Sequence, residues 1–363
     1  MSRNDTANTN SARDIAKRLV HWYGRTARDL PWRNDPTPYG IWVSEIMCQQ
    51  TRAETAAKYW IAWMQALPNV ESLSRADETQ LLNLWQGLGY YSRVRNLQRA
   101  AIEIVANHDG VLPSDPRVLL TLPGIGAYTA AAIASIAFCR PCAAIDGNVI
   151  RVVTRVEAIE NDVARNTTQS SIASTAQRWM DEAVNDSPLA PRALTQALME
   201  LGATHCSPRN PRCDRCPIEE HCLAKRAGLQ AQLPVKTKRA KALRKQWLSY
   251  IVWNQGAILL TRRPKNGINA GYWELPTVET EEKTSNPQHE AERQWGLRLP
   301  SLQKRARITH AITKFRIEIE IHTADLPERT MMDGVECRWA RPDELAALPL
   351  TAATLKALQE AID

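Results

Sequence analysis

"LPGIGAYTAAAIASIAF", Leu122 to Phe138, is the stretch on which the reading of this chain turns. Gly124 and Gly126 stand two residues apart behind Leu122 and Pro123, a pattern suited to a tight turn, because glycine reaches backbone angles closed to other residues. An alanine-rich run follows from Ala127 and predicts a helix. The first turn of such a helix presents bare backbone N–H groups and the positive end of the helix dipole, both of which suit a phosphate oxygen.

A Gly-x-Gly turn before a helix is common and weak by itself. With Leu-Pro in front and the Ala-rich helix behind, it matches the helix–hairpin–helix signature, which grips a DNA backbone without reading its sequence. Beyond that helix, "AAIDGNVIRV" places Asp146 between an apolar run and Gly147-Asn148. A carboxylate there is held close to backbone donors, and it reads either as a turn former or N-cap, or as a working anion. Upstream, "PYGIWVSEIMCQQTRAETAAKYW" sets Glu45 among Ile41, Trp42, Val43, Ile46 and Met47. Burial in such a face raises a carboxyl pKa toward neutrality, the environment of a general acid. The alternative is a glutamate on the polar side of an amphipathic helix, beside Gln49 and Arg52.

"HCSPRNPRCDRCPIEEHC", His205 to Cys222, supplies four thiols at Cys206-x6-Cys213-x2-Cys216-x5-Cys222. Soft ligands this close in sequence predict a structural metal site, and the spacing leaves zinc and [4Fe–4S] both open. Cys139-x2-Cys142 has no thioredoxin-like βαβ around it and reads as two core thiols at a helix end.

At 363 residues the chain is long enough for two cores. Three- and four-residue apolar spacing runs from Ser11 to about Cys222, and strand-like alternation is absent there. "KRAGLQAQLPVKTKRAKALRK", Lys225 to Lys245, has no acidic residue and reads as a solvated basic linker able to touch phosphates. Beyond it, "WLSYIVWNQGAILLTRR" predicts two strands around Asn-Gln-Gly, "RITHAITKFRIEIEIHTA" alternates like a strand, and "TAATLKALQEAI" predicts a closing helix. The expected organisation is a disordered tail at 1–11, an all-α domain at 12–226, a linker at 227–246 and a smaller α+β domain at 247–363. The formal charge of +7 favours a polyanionic partner only weakly. No apolar run is long enough to cross a bilayer, and the N-terminus has no signal-peptide character. A soluble intracellular protein is expected, cytoplasmic and nucleoid-associated in a prokaryote.

Together these pieces resemble the endonuclease III superfamily of DNA glycosylases, whose cysteines at this spacing hold a [4Fe–4S] cluster. "LPWRNDPTPYGIWVSEIMCQQT", "GLGYYSRVRNL" and the extra C-terminal domain are similar to the MutY family, adenine DNA glycosylases that act on adenine mispaired with 8-oxoguanine. The resemblance covers the chain from Ala12 onward. It implies an all-α helix–hairpin–helix domain with a cluster loop, followed by a Nudix-like α+β domain, and a monomer acting on double-stranded DNA with 8-oxoguanine:A or G:A mispairs. Glu45 corresponds to the acid that protonates adenine N7, and Asp146 to the carboxylate that stabilises the oxocarbenium-like sugar. Tyr128 and Asn148 resemble residues lining the catalytic pocket. Trp32, Arg33, Gln196 and Met199 match positions around the extruded adenine. Gln50 and Tyr90 match side chains inserted into the base stack, Leu122, Gly124 and Gly126 form the backbone-gripping hairpin, and Cys206, Cys213, Cys216 and Cys222 hold the cluster. Arg209, Arg212 and Arg215 lie on loops that approach DNA in the family.

Tyr128 stands where lyase members of the superfamily carry lysine, and a phenol cannot form a Schiff base, so hydrolysis without efficient β-elimination is implied. In the Nudix-like domain the best match to the metal-binding box is "HEAERQWGL", His289 to Leu297, where Arg293 and Gln294 replace paired glutamates; binding rather than hydrolysis is implied. MutY proteins commonly read the oxidised guanine with Phe-Ser-His, whereas this chain has Ile312-Thr313-Lys314, and Thr313 and Lys314 are the expected contacts. Three other readings fit the sequence less well. A pyrimidine-lesion glycosylase is opposed by Tyr128, Gln196 and the second domain, a non-catalytic DNA binder by the pair Glu45 and Asp146, and a Nudix pyrophosphatase by the missing glutamates.

Overall fold

The computed structural model describes residues 3–237, 243–264, 269–280, 286–312, 315–330, 332 and 334–362. It contains two compact units that are not contiguous in sequence. One is formed by the chain up to Arg75 and from Arg95 to the linker, the other by Ala76–Val94 and the chain beyond the linker. The expected boundaries at 226 and 247 miss Ala76–Val94. That segment has the same helical periodicity as its neighbours, and periodicity does not say which core buries it.

The first unit begins with α1 (Arg3–Thr26), α2 (Pro31–Asn34), α3 (Pro38–Cys48), α4 (Ala53–Ala66) and α5 (Val70–Arg75). Helix α1 starts inside the segment expected as a disordered tail, since nothing between Arg3 and Gly24 is Pro or Gly and the helix propagates backward from its packed half. Thr37 caps α3 by accepting from Gly40 N at 3.1 Å, and every residue from Tyr39 to Met47 is buried. Helix α6 (Glu78–Trp85) belongs to the second unit, and α7 (Ser92–Asn107) straddles the division. The first unit then continues with α8 (Pro116–Leu119), α9 (Ala127–Ile136), α10 (Gly147–Val156), α11 (Asn166–Val184), α12 (Ala190–Thr204) and the short α13 (Leu223–Arg226). A core of Leu19, Val152, Trp179, Leu194 and Leu198 locks α1 and α10–α12 together.

Helices α8 and α9 with the turn between them form the expected hairpin. Gly124 has φ +77°, and a Cβ there would lie 2.6 Å from Asn96 Cβ on α7, so no other residue fits. Gly126 differs from the expectation: its backbone is extended and open space surrounds it, so it supplies clearance in front of α9 rather than the turn itself. The start of the basic linker is also less solvated than expected. Leu233 O accepts from Arg155 Nε, Val163 N donates to Val235 O, and Thr237 bonds Asp162.

In the second unit the strands are β1 (Leu243–Asn254), β2 (Ala257–Arg262), β3 (Trp273–Glu274), β4 (Thr277–Thr280), β5 (Gln303–Ile312), β6 (Phe315–Asp325) and β7 (Cys337–Ala340), so β1 starts inside the expected linker. The sheet order is β3-β2-β1-β6-β5, with β4 on β1 and β7 on β2. Among the described strand pairings only β1–β6 is parallel, and one isolated parallel bridge joins Trp273 to Leu350. Gln255 and Gly256 take φ +47° and +76°, the two left-handed residues that a tight β1–β2 hairpin needs. The stretch expected as one alternating strand is a hairpin, β5 against β6, with Ile312 facing Phe315. Thr313 and Lys314 fall between them and lie outside the described residues.

Alternation splits the sheet into two faces. Trp247, Ile251, Ile258 and Ile319 pack with Leu358 of α15 (Ala352–Ile362), while Leu248, Val252, Leu259 and Leu297 pack with Ala291 of α14 (Pro287–Trp295). On α14 the two glutamates of the box-like stretch are paired with arginines: Glu290 with Arg293 at 2.6 Å and Glu292 with Arg298 at 2.8 Å.

Candidate active site

A cavity of about 590 Å³ opens in the helical unit, lined by residues of α2, α3, α9, α10 and α12. It gathers Trp32, Arg33, Glu45, Gln50, Tyr128, Asp146, Asn148, Gln196 and Met199, nine of the side chains expected from the sequence. Its size suits a small molecule or a single nucleobase with its sugar.

Glu45 sits on α3, 9% exposed. Tyr128, the second residue of α9, donates its hydroxyl to Glu45 Oε2 at 2.6 Å and lies 3.9 Å from Met199 Sδ. Burial pushes the Glu45 carboxyl up to about 7; the Tyr128 bond and Arg33 oppose the rise, and the nearby Asp146 adds to it. A carboxyl so placed exchanges its proton near neutral pH. Burial and the same two carboxylates push the Tyr128 phenol well above its ordinary range, so it remains a donor.

Asp146 is at once the N-cap of α10 and a wall of the cavity. One oxygen accepts from Asn148 N (2.9 Å) and Val149 N (2.7 Å), the other from Asn148 Nδ2 (2.7 Å). Burial raises its pKa, and these donors from Val149 and Asn148 resist the rise. Asn148 is oriented in turn by Arg151, whose Nη2 donates to Asn148 Oδ1 at 2.7 Å and to Gly202 O at 2.6 Å, while Nε donates to Cys206 O at 2.6 Å. A Cβ on Gly202 would stand 2.4 Å from Asn148 Cβ, so glycine there lets α12 approach α10.

The sequence reading missed Arg28 and Glu200. Glu200, 1% exposed, takes Arg28 Nε and Nη2 at 2.7 and 2.9 Å and Arg33 Nη2 at 2.8 Å. Burial alone would raise its pKa, but the two guanidiniums hold it below the ordinary carboxylate value. The signal was available: Gln196, Met199, Glu200 and Ala203 follow i, i+3, i+4, i+7 spacing, so placing the first two on the cavity face places Glu200 there too. Trp32 is buried with its ring edge-on to Trp60, and Gln196 is 8% exposed with its amide near Arg192 O. Gln50 follows the end of α3 with φ +60°, a strained angle for a residue with a Cβ.

Other expected residues lie away from the cavity lining. Leu122, Gly124 and Gly126 form the α8–α9 hairpin. Tyr90 is in the second unit, 43% exposed, at φ +50°.

Cys206, Cys213, Cys216 and Cys222 all line one small, largely apolar enclosure with Val152, Val156, Leu201 and Ile218, and none is in a disulfide. Burial pushes the Cys216 thiol up to about 12 and raises Cys213 and Cys222. Thiols that the protein alone keeps neutral become ligands only when a positively charged centre displaces their protons. All four thiols line the same small enclosure, as the ligands of one multi-atom cluster must. Arg155, 2% exposed, donates to Cys206 Sγ at 3.3 Å and to Ser207 O and Pro208 O, fixing the loop's first ligand. The four cysteines thus fit the iron–sulfur cluster expected of them. Cys139 and Cys142 are half-buried, unpaired by disulfide and outside this enclosure.

Comparison with known proteins agrees with this geometry. Residues 43–181 match the HhH-GPD superfamily of base excision DNA repair proteins, 206–222 the iron–sulfur binding domain of endonuclease III, and 248–360 the NUDIX domain. Fold, cavity and cluster loop together define a DNA glycosylase, an enzyme that hydrolyses N-glycosidic bonds in DNA. The adenine DNA glycosylase of Rattus norvegicus is 34% identical, covering 94% of this chain and 76% of that protein. That of Homo sapiens is 32% identical over 93% and 72%. The chain belongs to the adenine DNA glycosylase family. Among solved structures, a thermostable thymine-DNA glycosylase is 25% identical with a TM-score of 0.54, covering 60% of this chain and 99% of its own. A trapped endonuclease III–DNA covalent intermediate, 19% identical with a TM-score of 0.50, shares the helical fold.

Proposed function

We propose that this protein excises adenine from 8-oxoguanine:A and G:A mispairs in double-stranded DNA, by hydrolysis and with the adenine nucleotide extruded into the cavity. The observation that carries the reading is Glu45, a carboxyl that holds its proton to about pH 7 inside a base-sized cavity it shares with Asp146. A duplex hides the C1′–N9 bond in its stack, so the nucleotide must leave the helix to meet these groups.

In this mechanism Glu45 gives its proton to adenine N7. The C1′–N9 electron pair departs with the base, and positive charge develops on the sugar. Asp146, held by its own helix N-terminus and by Asn148, stabilises that charge as an anion. Water adds at C1′, its proton returns to the Glu45 carboxylate, and adenine and an abasic sugar result. Tyr128 keeps the Glu45 side chain aimed and supplies no amine, so the chemistry stops at hydrolysis. Trapping of a lysine adduct with borohydride during efficient strand cleavage is the result that excludes this.

Cys206, Cys213, Cys216 and Cys222 would hold the cluster, which would tie together the 206–222 loop so that Arg209, Arg212 and Arg215 meet phosphates. A working monomer in a reducing cytoplasm completes the reading, the latter suited to the free thiols. Thr313 and Lys314 are proposed to contact the oxidised guanine. The primary test measures adenine release from duplexes with A opposite 8-oxoguanine, G or T, for the native chain and Glu45→Gln. Release should be confined to the first two and lost in the variant. Unchanged preference in Thr313→Ala and Lys314→Ala would remove that hairpin as the lesion reader.

A further inference from the structure

The loop bearing Tyr90 is held by the sheet-containing unit. In "WQGLGYYSR", Trp85 to Arg93, three left-handed residues shape the turn: Gly87 at φ +94°, Gly89 at +68° and Tyr90 at +50°. Arg93 fastens it from within, Nη2 donating to Leu88 O and Gly89 O at 2.9 Å each, with its guanidinium over the rings of Trp85 (5.2 Å) and Tyr90 (5.7 Å). Trp85 Nε1 donates to Gly89 O at 3.1 Å. The neighbouring Tyr91 turns the other way. It is 4% exposed, and its ring stacks on that of fully buried Tyr272, centroids 3.7 Å apart. Tyr272, just before β3, also donates its hydroxyl to Leu82 O on α6 at 3.0 Å, and Asn83 Nδ2 donates to Ala347 O. Exposed Tyr90 and buried Tyr91 are thus consecutive residues with opposite fates, one free to meet a partner and the other pinned from the C-terminal part of the chain.

We infer that Tyr272 is a positioning residue for Tyr90: it seats the loop so that the aromatic ring stands in position to enter the base stack. This rests on the reading above in which Tyr90 is inserted into DNA. The consequence is that the Nudix-like fold contributes to adenine removal through the aromatic wedge, in addition to any contact with the opposite base. A wedge held at an unfavourable backbone angle keeps its alignment only while its support is rigid. Loosening Tyr272 should therefore weaken insertion as removal of the Tyr90 ring does.

The test uses the full chain with its cluster and the variants Tyr272→Leu, Tyr272→Phe, Tyr90→Ala and Tyr90→Ala/Tyr272→Leu. The first measurement is amide hydrogen exchange of the free protein. Tyr272→Leu should accelerate exchange across residues 87–93 by about tenfold or more with α9 and α10 unchanged, and Tyr272→Phe should do so less. The second is affinity for a duplex with a hydrolysis-resistant 2′-fluorinated deoxyadenosine opposite 8-oxoguanine. Removing a stacked aromatic typically weakens binding about 5- to 100-fold. Tyr90→Ala should fall in that range, Tyr272→Leu should lose much of the same factor, and the double variant should be no weaker than Tyr90→Ala within about twofold. Unchanged exchange at 87–93, or losses that multiply in the double variant, overturns the proposal. Full affinity in Tyr90→Ala with accelerated exchange in Tyr272→Leu would instead retire the insertion reading while leaving the seating intact; slow exchange in Tyr272→Leu would retire the seating alone.

Discussion

Glu45→Gln should cost the enzyme its activity and relieve its fold, in amounts the structure sets. An open-chain glutamate ionises near 4.5, and burial moves Glu45 up to about 7. Below about pH 4.5 the side chain is neutral whether folded or not, so its contribution to stability is fully present there. As pH rises through 7 the folded state must hold a buried anion, and the contribution is lost. At 1.36 kcal/mol per pH unit, that loss is about 3 kcal/mol in full and about 2–3 kcal/mol between pH 5 and pH 8.5. Glutamine has the same shape, still accepts from Tyr128 and cannot ionise. The melting temperature of Glu45→Gln relative to the native chain should therefore climb by about 5–10 °C across that interval, taking about 2–4 °C per kcal/mol for a unit of this size. Adenine release at pH 7 should fall about 10²–10⁴-fold in the same preparation. A melting difference that stays flat with pH, cluster content being equal, would refute the claim that Glu45 is buried and titrates near neutrality, and with it the acid assigned to the reaction.

Tyr128→Phe removes a bond that favours the Glu45 anion, so the basic limb of the single-turnover pH profile should move to higher pH, with stability falling by about 1 kcal/mol in thermal melts. Gly202→Ala drives a methyl into Asn148; melts should register about 1–3 kcal/mol of destabilisation, and single-turnover rates should drop because Asp146 loses its oriented partner. Cys216→Ser should abolish the visible absorption of the cluster and make the 206–222 loop cleavable by limited proteolysis, while the Nudix-like unit keeps its protease resistance.

The parts of the site that were legible beforehand are those where a residue type conflicts with its surroundings. A glutamate amid Ile, Val and Met, an aspartate before Gly-Asn, and four cysteines in seventeen residues each stand out against their local pattern; the first two line one cavity and the cysteines one enclosure. Arg28 did not stand out, because a charged loop residue looks like solvated surface until the fold brings it to Glu200, 172 positions away. The pairing of β5 with β6 was hidden because "ITKFRIE" carries no Gly, Pro, Asn or Asp to divide it into two strands. The assignment of Ala76–Val94 was out of reach for a deeper reason: apolar spacing says that a helix needs a core but not whose.

That assignment bears on how the enzyme is dissected. Cutting the gene within the basic linker looks like a clean separation of catalysis from recognition. It would instead strip Tyr91 and α6 of the residues that cover them, leaving an aromatic scar on the truncated fragment. Weak mispair discrimination or aggregation in such fragments would then reflect an orphaned surface as much as a missing reader, and a faithful dissection needs point changes in the intact polypeptide.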